Sequence, residues 1–311
     1  MHVELAQPRG YCAGVTRAID IVERALDVHG APVYVYHEII HNRHVVDELA
    51  ARGALCVHQI EDVPFGAVLV FSAHGVGNDV VERARQRRLR VIDATCPLVA
   101  KVHVQARRYV RAGRQLLIVG HRGHDEVVGT LGSVDDGAWV VATVEDVERL
   151  PIPVDAPVAY VTQTTLSLDD TSAVIDAIRA RFTDLEGPGL DDICYATQNR
   201  QNAVRSLAPG VDLLLVVGSR NSSNSNRLSE LGEQLGVPSH LIEDASEIDP
   251  AWLARVSRVG LTAGASAPES LVQGVIARLR AMSGVDVEVS EAPGLRETIS
   301  FRLPAGLARS A

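Results

Sequence analysis

The stretch Asp93-Ala94-Thr95-Cys96-Pro97-Leu98-Val99-Ala100-Lys101-Val102-His103 puts a cysteine where a strand gives way to a helix. Pro97 suits the first helical position, where its missing N–H is no loss. Cys12 and Cys194 occupy matching junctions in the flanking thirds, and the same marks follow each of the three cysteines. A polar cluster after an apolar run falls at His41, His124 and Ser222, which are 29, 28 and 28 residues on. A Glu-Asp pair starts at Glu61, Glu145 and Glu243, each 49 residues after its cysteine. A third mark lies at Ser72-Ala73-His74-Gly75, Thr162-Gln163-Thr164-Thr165 and Thr262-Ala263-Gly264-Ala265-Ser266. This internal repeat of roughly 85 to 100 residues predicts three like units. Divided at the cysteines, they are 13–96, 97–193, and 1–12 with 194–311.

Each unit alternates strands with helices. After a strand near His2 to Ala6, the apolar residues Val15, Ala18, Ile19, Val22, Ala25 and Leu26 keep helical spacing until Gly30. Strands follow at 32–36, 55–57 and 67–71, with a helix at 45–51. The second unit offers a helix at 97–110 and strands at 116–119, 139–142 and 158–162. The third offers a helix at 198–207 and strands at 213–217, 240–242 and 259–262. Beyond it, strands are expected at 287–289 and 298–303, then a frayed tail. Continuous Val/Leu/Ile runs between helices indicate parallel sheets covered on both faces, whose sites form beyond the carboxyl ends of the strands. The fold class is therefore α/β.

The composition narrows the function. Thirty basic against 39 acidic residues give a net charge of −9, and only 4% of residues are aromatic. Neither a phosphate-backbone footprint nor a base-stacking platform is present, so nucleic acid is not an expected partner. No apolar run approaches the roughly 20 residues of a membrane span, and no signal peptide precedes the first unit, which suggests a cytoplasmic protein. The four cysteines lie far apart, unlike a secreted disulfide framework. Cys56, within Leu55-Cys56-Val57, is expected to be a buried small hydrophobe.

Three thiolates at helix starts, where the helix dipole favours anionic sulfur, make a candidate metal site, with repeat-derived structural cysteines as the alternative. A structural zinc site closes with four ligands, whereas an iron-sulfur cluster held by three cysteines leaves one iron open. His41-Asn42, His74, His124, Ser222-Ser223-Asn224 and Ser266 are donors suited to an anion such as phosphate. The run Ser219 to Asn226 also reads as a solvated polar loop. Glu126 is the acid singled out inside these clusters, two residues after His124; near other negative charge its pKa would rise and fit it to act as an acid. No G-x-G-x-x-G or P-loop occurs, so a nicotinamide or nucleoside triphosphate has no support. A cluster-dependent enzyme, a zinc-dependent phosphohydrolase and a non-catalytic phospholigand-binding module remain open on these grounds.

The motifs Tyr11-Cys12-Ala13-Gly14-Val15, His37-Glu38 through His41-Asn42-Arg43, Ser72 to Val76, Asp93 to Val99, Gly120-His121 through Gly123-His124, Gln163 to Ser167, Cys194 to Thr197, Ser222 to Arg227 and Thr262 to Ser266 stand out together. As a set they resemble the hydroxymethylbutenyl diphosphate reductase family of the non-mevalonate isoprenoid pathway. The resemblance runs from about Met1 to Leu303. It implies a trefoil of three pseudo-threefold-related α/β units around a central 4Fe-4S cluster, and a reductive dehydroxylation giving isopentenyl and dimethylallyl diphosphates. On that basis Cys12, Cys96 and Cys194 would hold three irons and leave the fourth for the substrate hydroxyl. His41, His74, His124, Ser222, Ser223, Asn224 and Ser266 would bind diphosphate, Thr164 would hydrogen-bond near the hydroxyl, and Glu126 would feed protons. Ferredoxin or flavodoxin would supply the electrons. Thr16 stands where the family commonly has an acidic residue, and Asp125 where it often has proline.

Overall fold

The computed structural model describes residues 1–188, 192–283 and 286–307. Strand β1 (His2–Leu5) leads through the Cys12 turn into α1 (Ala13–His29), β2 (Val33–Tyr36), α2 (Arg43–Ala51), β3 (Ala54–Val57), β4 (Val68–Phe71), α3 (Asn78–Gln86) and β5 (Arg90–Asp93). Then come α4 (Pro97–Arg111), β6 (Gln115–Val119), α5 (Asp125–Gly132), β7 (Ala138–Val141), α6 (Val144–Glu148), β8 (Pro157–Thr162), α7 (Leu168–Arg181) and β9 (Asp184–Glu186). The chain continues with α8 (Tyr195–Leu207), β10 (Leu213–Val217), α9 (Ser223–Gln234), β11 (Ser239–Ile242), β12 (Arg258–Ala263), α10 (Glu269–Ser283) and β13 (Glu288–Glu291).

Among the described residues these strands form three all-parallel sheets, ordered β3-β2-β4-β5, β7-β6-β8-β9 and β11-β10-β12-β1-β13. Counted within its own sheet, each order is second-first-third-fourth. In the third sheet the N-terminal β1 takes the fourth place and β13 adds an edge. The cysteine therefore follows the fourth strand every time: Cys96 after β5, Cys194 after β9, Cys12 after β1.

Both faces of the central strands are covered, as continuous apolar runs require. Along β10, Leu213, Leu215 and Val217 pack with Val272, Val275 and Leu279 of α10, while Leu214 and Val216 pack with Val204 of α8 and Leu228 of α9. Along β6, Leu117 and Val119 meet Ile175 and Ile178 of α7, and Leu116 and Ile118 meet Val102 and Ala106 of α4. The period of two sends alternate side chains to opposite faces. Full burial of each such leucine contributes roughly 2 to 3 kcal/mol.

The described residues gather into two compact bodies. One comprises Met1–Val15, His41–Val45 and Tyr195–Ile299 and holds the third sheet; the other comprises Thr16–Ile40, Val46–Cys194 and Ser300–Ala311 and holds the first two.

Three expectations change. Residues 298–303 alternate like a strand but find no ladder; instead Arg17 Nε donates to Arg302 O at 2.9 Å. Cys56 does lie on a strand, but β3 is the edge of its sheet and the thiol is exposed. The supposed polar loop from Ser219 is half helix: Ser222 caps α9, and Ser219, Ser222, Asn224 and Ser225 are buried. The tail expected after Leu303 lies in part, at residues 308–311, outside the described residues.

Candidate active site

In each sheet the first and third strands are neighbours whose connections leave in opposite directions, the point where α/β sheets open a ligand crevice. The residue after the first strand donates to the end of the second: His37 N to Val57 O (2.9 Å), Gly120 N to Val141 O (3.0 Å), Gly218 N to Ile242 O (2.9 Å). The turn after the third strand donates back to the end of the first strand or to the loop that follows it: Gln163 N to Val119 O (2.8 Å), Gly264 N to Val217 O (2.9 Å), and Ala73 N to Ile39 O (3.1 Å), three residues beyond β2. Each repeat cysteine then donates to that same turn. Cys96 N reaches Ala73 O at 3.0 Å, Cys194 N reaches Thr164 O at 3.0 Å and Cys12 N reaches Ala265 O at 3.1 Å.

All three are half-buried thiols at the start of a helix, and Cys12 Sγ accepts a long bond from Val15 N at 3.5 Å. Their supports differ. The fully buried Arg200 donates to Gly10 O at 3.0 and 2.6 Å and to Tyr11 O at 3.3 Å, and pairs with Glu297 at 3.0 Å, which fixes the turn before Cys12. Arg17 does the same for Cys96, donating to Ala94 O at 3.2 Å and Thr95 O at 3.0 Å. Three reduced thiols in equivalent junctions at helix N-termini are a donor set that fits a group taking three thiolates.

In the body with the first two sheets, α5 carries much of the polar chemistry. Glu126 is buried, and both its oxygens are used: Thr164 N donates to Oε1 at 2.7 Å and Thr164 Oγ1 to Oε2 at 3.0 Å. His124 caps the helix, its Nδ1 accepting from Glu126 N at 3.2 Å, which leaves the proton of the neutral ring on Nε2. His74 and His124 meet edge to face with ring centroids 6.0 Å apart. Glycines make this approach possible: a Cβ on Gly129 would stand 2.8 Å from Gly75 O, and one on Gly132 would stand 2.9 Å from Gly77 Cα. Asp125 accepts from His37 Nδ1 at 2.9 Å and lies 4.0 Å from His74 Nδ1. That bond holds the His37 imidazole above its ordinary pKa.

In the other body His41 is anchored by Ser266 Oγ, which donates to His41 O at 2.9 Å, and lies beside Asn221 at 3.5 Å. Ser222 Oγ accepts from Ser225 N at 3.3 Å and Ser225 Oγ at 3.0 Å, keeping its own proton to donate. Ser223 opens α9. Asn224 is buried with neither Oδ1 nor Nδ2 hydrogen-bonded, although buried amides nearly always find partners. Gly264 admits this turn, since a Cβ there would collide with Ser225 Oγ.

Within the larger body His74, His124, Glu126 and Thr164 are thus brought together, and within the other His41, Ser222, Asn224 and Ser266. Sequence reasoning gave no role to His37, Asp125 or Arg200. His37 carries one signal, a positive φ of 59° at a non-glycine residue, which only the structure reveals.

The LytB protein family model matches residues 3–280. A 4-hydroxy-3-methylbut-2-enyl diphosphate reductase of Zymomonas mobilis is 60% identical over 97% of this chain and 88% of its own length. One of Burkholderia pseudomallei is 58% identical over 100% of this chain and 98% of its own. Among solved structures, the E-1-hydroxy-2-methyl-but-2-enyl-4-diphosphate reductase of Plasmodium falciparum superposes with a TM-score of 0.93 at 35% identity, covering 98% of this chain and 96% of that one. With most of its length inside the family model and full-length relatives this similar, the chain belongs to the LytB protein family.

Proposed function

We propose that this chain is a 4-hydroxy-3-methylbut-2-enyl diphosphate reductase of isoprenoid biosynthesis. The observation that carries the reading is the hydrogen bond repeated from Cys12, Cys96 and Cys194 to the turn after the third strand of each sheet. Family membership, with relatives named reductase, favours reduction over phosphate hydrolysis or simple binding. The functional division follows the repeat, as 13–96, 97–193, and 1–12 with 194–311.

Cys12, Cys96 and Cys194 would hold one 4Fe-4S cluster, which when bound supplies electrons one at a time and an iron without a protein ligand. In the overall reaction the terminal carbon–oxygen bond breaks, and two electrons and two protons are taken up. Water leaves, and the allylic product ends as isopentenyl or dimethylallyl diphosphate. The chain's own residues handle charge and protons. His41, His74, His124, Ser222, Ser223, Asn224 and Ser266 bind the diphosphate, with Asn224 supplying an amide that has no other partner. Glu126 carries the proton for the departing oxygen, and Thr164 aligns it through two hydrogen bonds. Ferredoxin or flavodoxin delivers the electrons in the cytoplasm.

The test is anaerobic purification followed by iron and sulfide assay and turnover of the hydroxymethylbutenyl diphosphate with a reduced viologen. About four irons per chain, absorption near ~400 nm and turnover are expected. Colourless protein holding one zinc and releasing phosphate would refute the reading.

A further inference from the structure

We infer that Asp125 is a positioning residue for this reaction, its carboxylate shared between His37 and His74 so that His74 meets the diphosphate as a doubly protonated ring. The inference rests on the diphosphate reading of His74 given above. Asp125 occupies the first position of α5, half-buried, with Oδ1 bonded to His37 Nδ1 at 2.9 Å and Oδ2 4.0 Å from His74 Nδ1. With Nδ1 4.0 Å from a carboxylate, the doubly protonated ring is favoured and donates to an anion from Nε2, whereas the neutral ring does so only in the tautomer whose Nδ1 accepts from Ser72 Oγ at 3.4 Å. His124 follows a different logic. Its Nδ1 accepts from a backbone amide, so its Nε2 donates while the ring is neutral, with no need of a proton from solvent.

His37 controls how much of the carboxylate His74 receives. It stands at a positive φ of 59°, a conformation that a non-glycine residue keeps where the surroundings fix it. Its ring packs on Tyr36 at 4.4 Å and on His58 at 5.5 Å. Among the described residues of this body, Tyr36, His58, Glu38 and Cys56 act on the His37 side of the bridge, and His124 meets His74. Ser72 Oγ lies 3.4 Å from His74 Nδ1 and is neutral. Asp125 is therefore the carboxylate placed between the two rings.

The experiment titrates inorganic diphosphate onto the oxidised holoenzyme from pH 5.5 to 9 and follows the Cε1 resonances of 13C-labelled histidines over the same range. Asp125→Asn should move the His74 titration, and the pH at which diphosphate affinity is half lost, down by about 1 pH unit. His37→Asn, tolerated at positive φ, releases the carboxylate to His74 and should move both upward. Opposite shifts are not what two merely destabilising variants would give. An unmoved His74 titration in Asp125→Asn, or both variants shifting it the same way, overturns the inference while leaving diphosphate binding intact. Failure of the parent protein to bind diphosphate at any pH would instead refute the reading of the site itself.

Discussion

Thr164 grips Glu126 twice, its amide 2.7 Å from one carboxylate oxygen and its hydroxyl 3.0 Å from the other, and Thr164 O accepts the amide of Cys194 at 3.0 Å. One residue thus ties the proposed proton carrier to a proposed cluster ligand. Glu126→Gln keeps the size but has no proton to give, so substrate should still bind while kcat falls by about 10²- to 10⁴-fold. Steady-state kinetics with reduced viologen and a spectroscopic substrate titration separate the two effects. A near-normal kcat removes Glu126 from the mechanism; lost binding makes it a positioning group.

Cys12→Ser, Cys96→Ser and Cys194→Ser should each strip iron from the protein, whereas Cys56→Ser should leave it. Only the first three donate to the turn after a third strand, and Cys56 sits exposed on an edge strand. Iron content of the four variants decides the matter. Retention of full iron in any of the first three would break the ligand assignment.

The repeat was readable because a parallel sheet with fixed strand order returns the same chemistry at the same spacing. Cys12, Cys96 and Cys194 announced their junctions, and Leu213 to Val217 announced a doubly covered strand. What stayed hidden were relations with no spacing of their own. Arg200 lies far along the chain from the Gly10 carbonyl it holds, and the Asp125 to His37 contact joins two sheets of one body. Helix α5 was masked by composition, since Gly129 and Gly132 lower helix propensity yet are required where the helix meets Gly75 and Gly77. Burial at Cys56 failed because period and residue type do not distinguish an edge strand from a central one.

His103, on the buried face of α4, is lowered to a pKa of about 4, first by burial and then by Arg107, with Asp93 opposing. The folded state favours the neutral ring, so its contribution is complete above the unfolded value near 6.5 and is lost as pH falls from there toward 4. The full range is worth roughly 3 kcal/mol, and about 2 kcal/mol should be gone by pH 5. Urea unfolding at pH 7 and pH 5 should show a loss that His103→Gln lacks. Parallel losses in both proteins would assign the acid sensitivity elsewhere.

Asn224 makes opposite demands on stability and binding. Its Oδ1 and Nδ2 are buried without hydrogen bonds, and a buried unsatisfied polar group costs about 1 to 3 kcal/mol. Asn224→Leu replaces the amide with apolar surface of similar size and should raise the unfolding free energy by about 1 to 2 kcal/mol. The same change removes a donor to a charged ligand, a loss of roughly 1.5 to 3 kcal/mol, or about 10- to 100-fold in the diphosphate dissociation constant. Thermal unfolding without ligand and calorimetric titration of inorganic diphosphate should therefore move apart. Asn224→Ala controls for volume, with the same loss of affinity and less gain in stability. If Asn224→Leu lowers both quantities, the side chain serves packing; if it raises stability and leaves affinity unchanged, the amide does not meet the diphosphate.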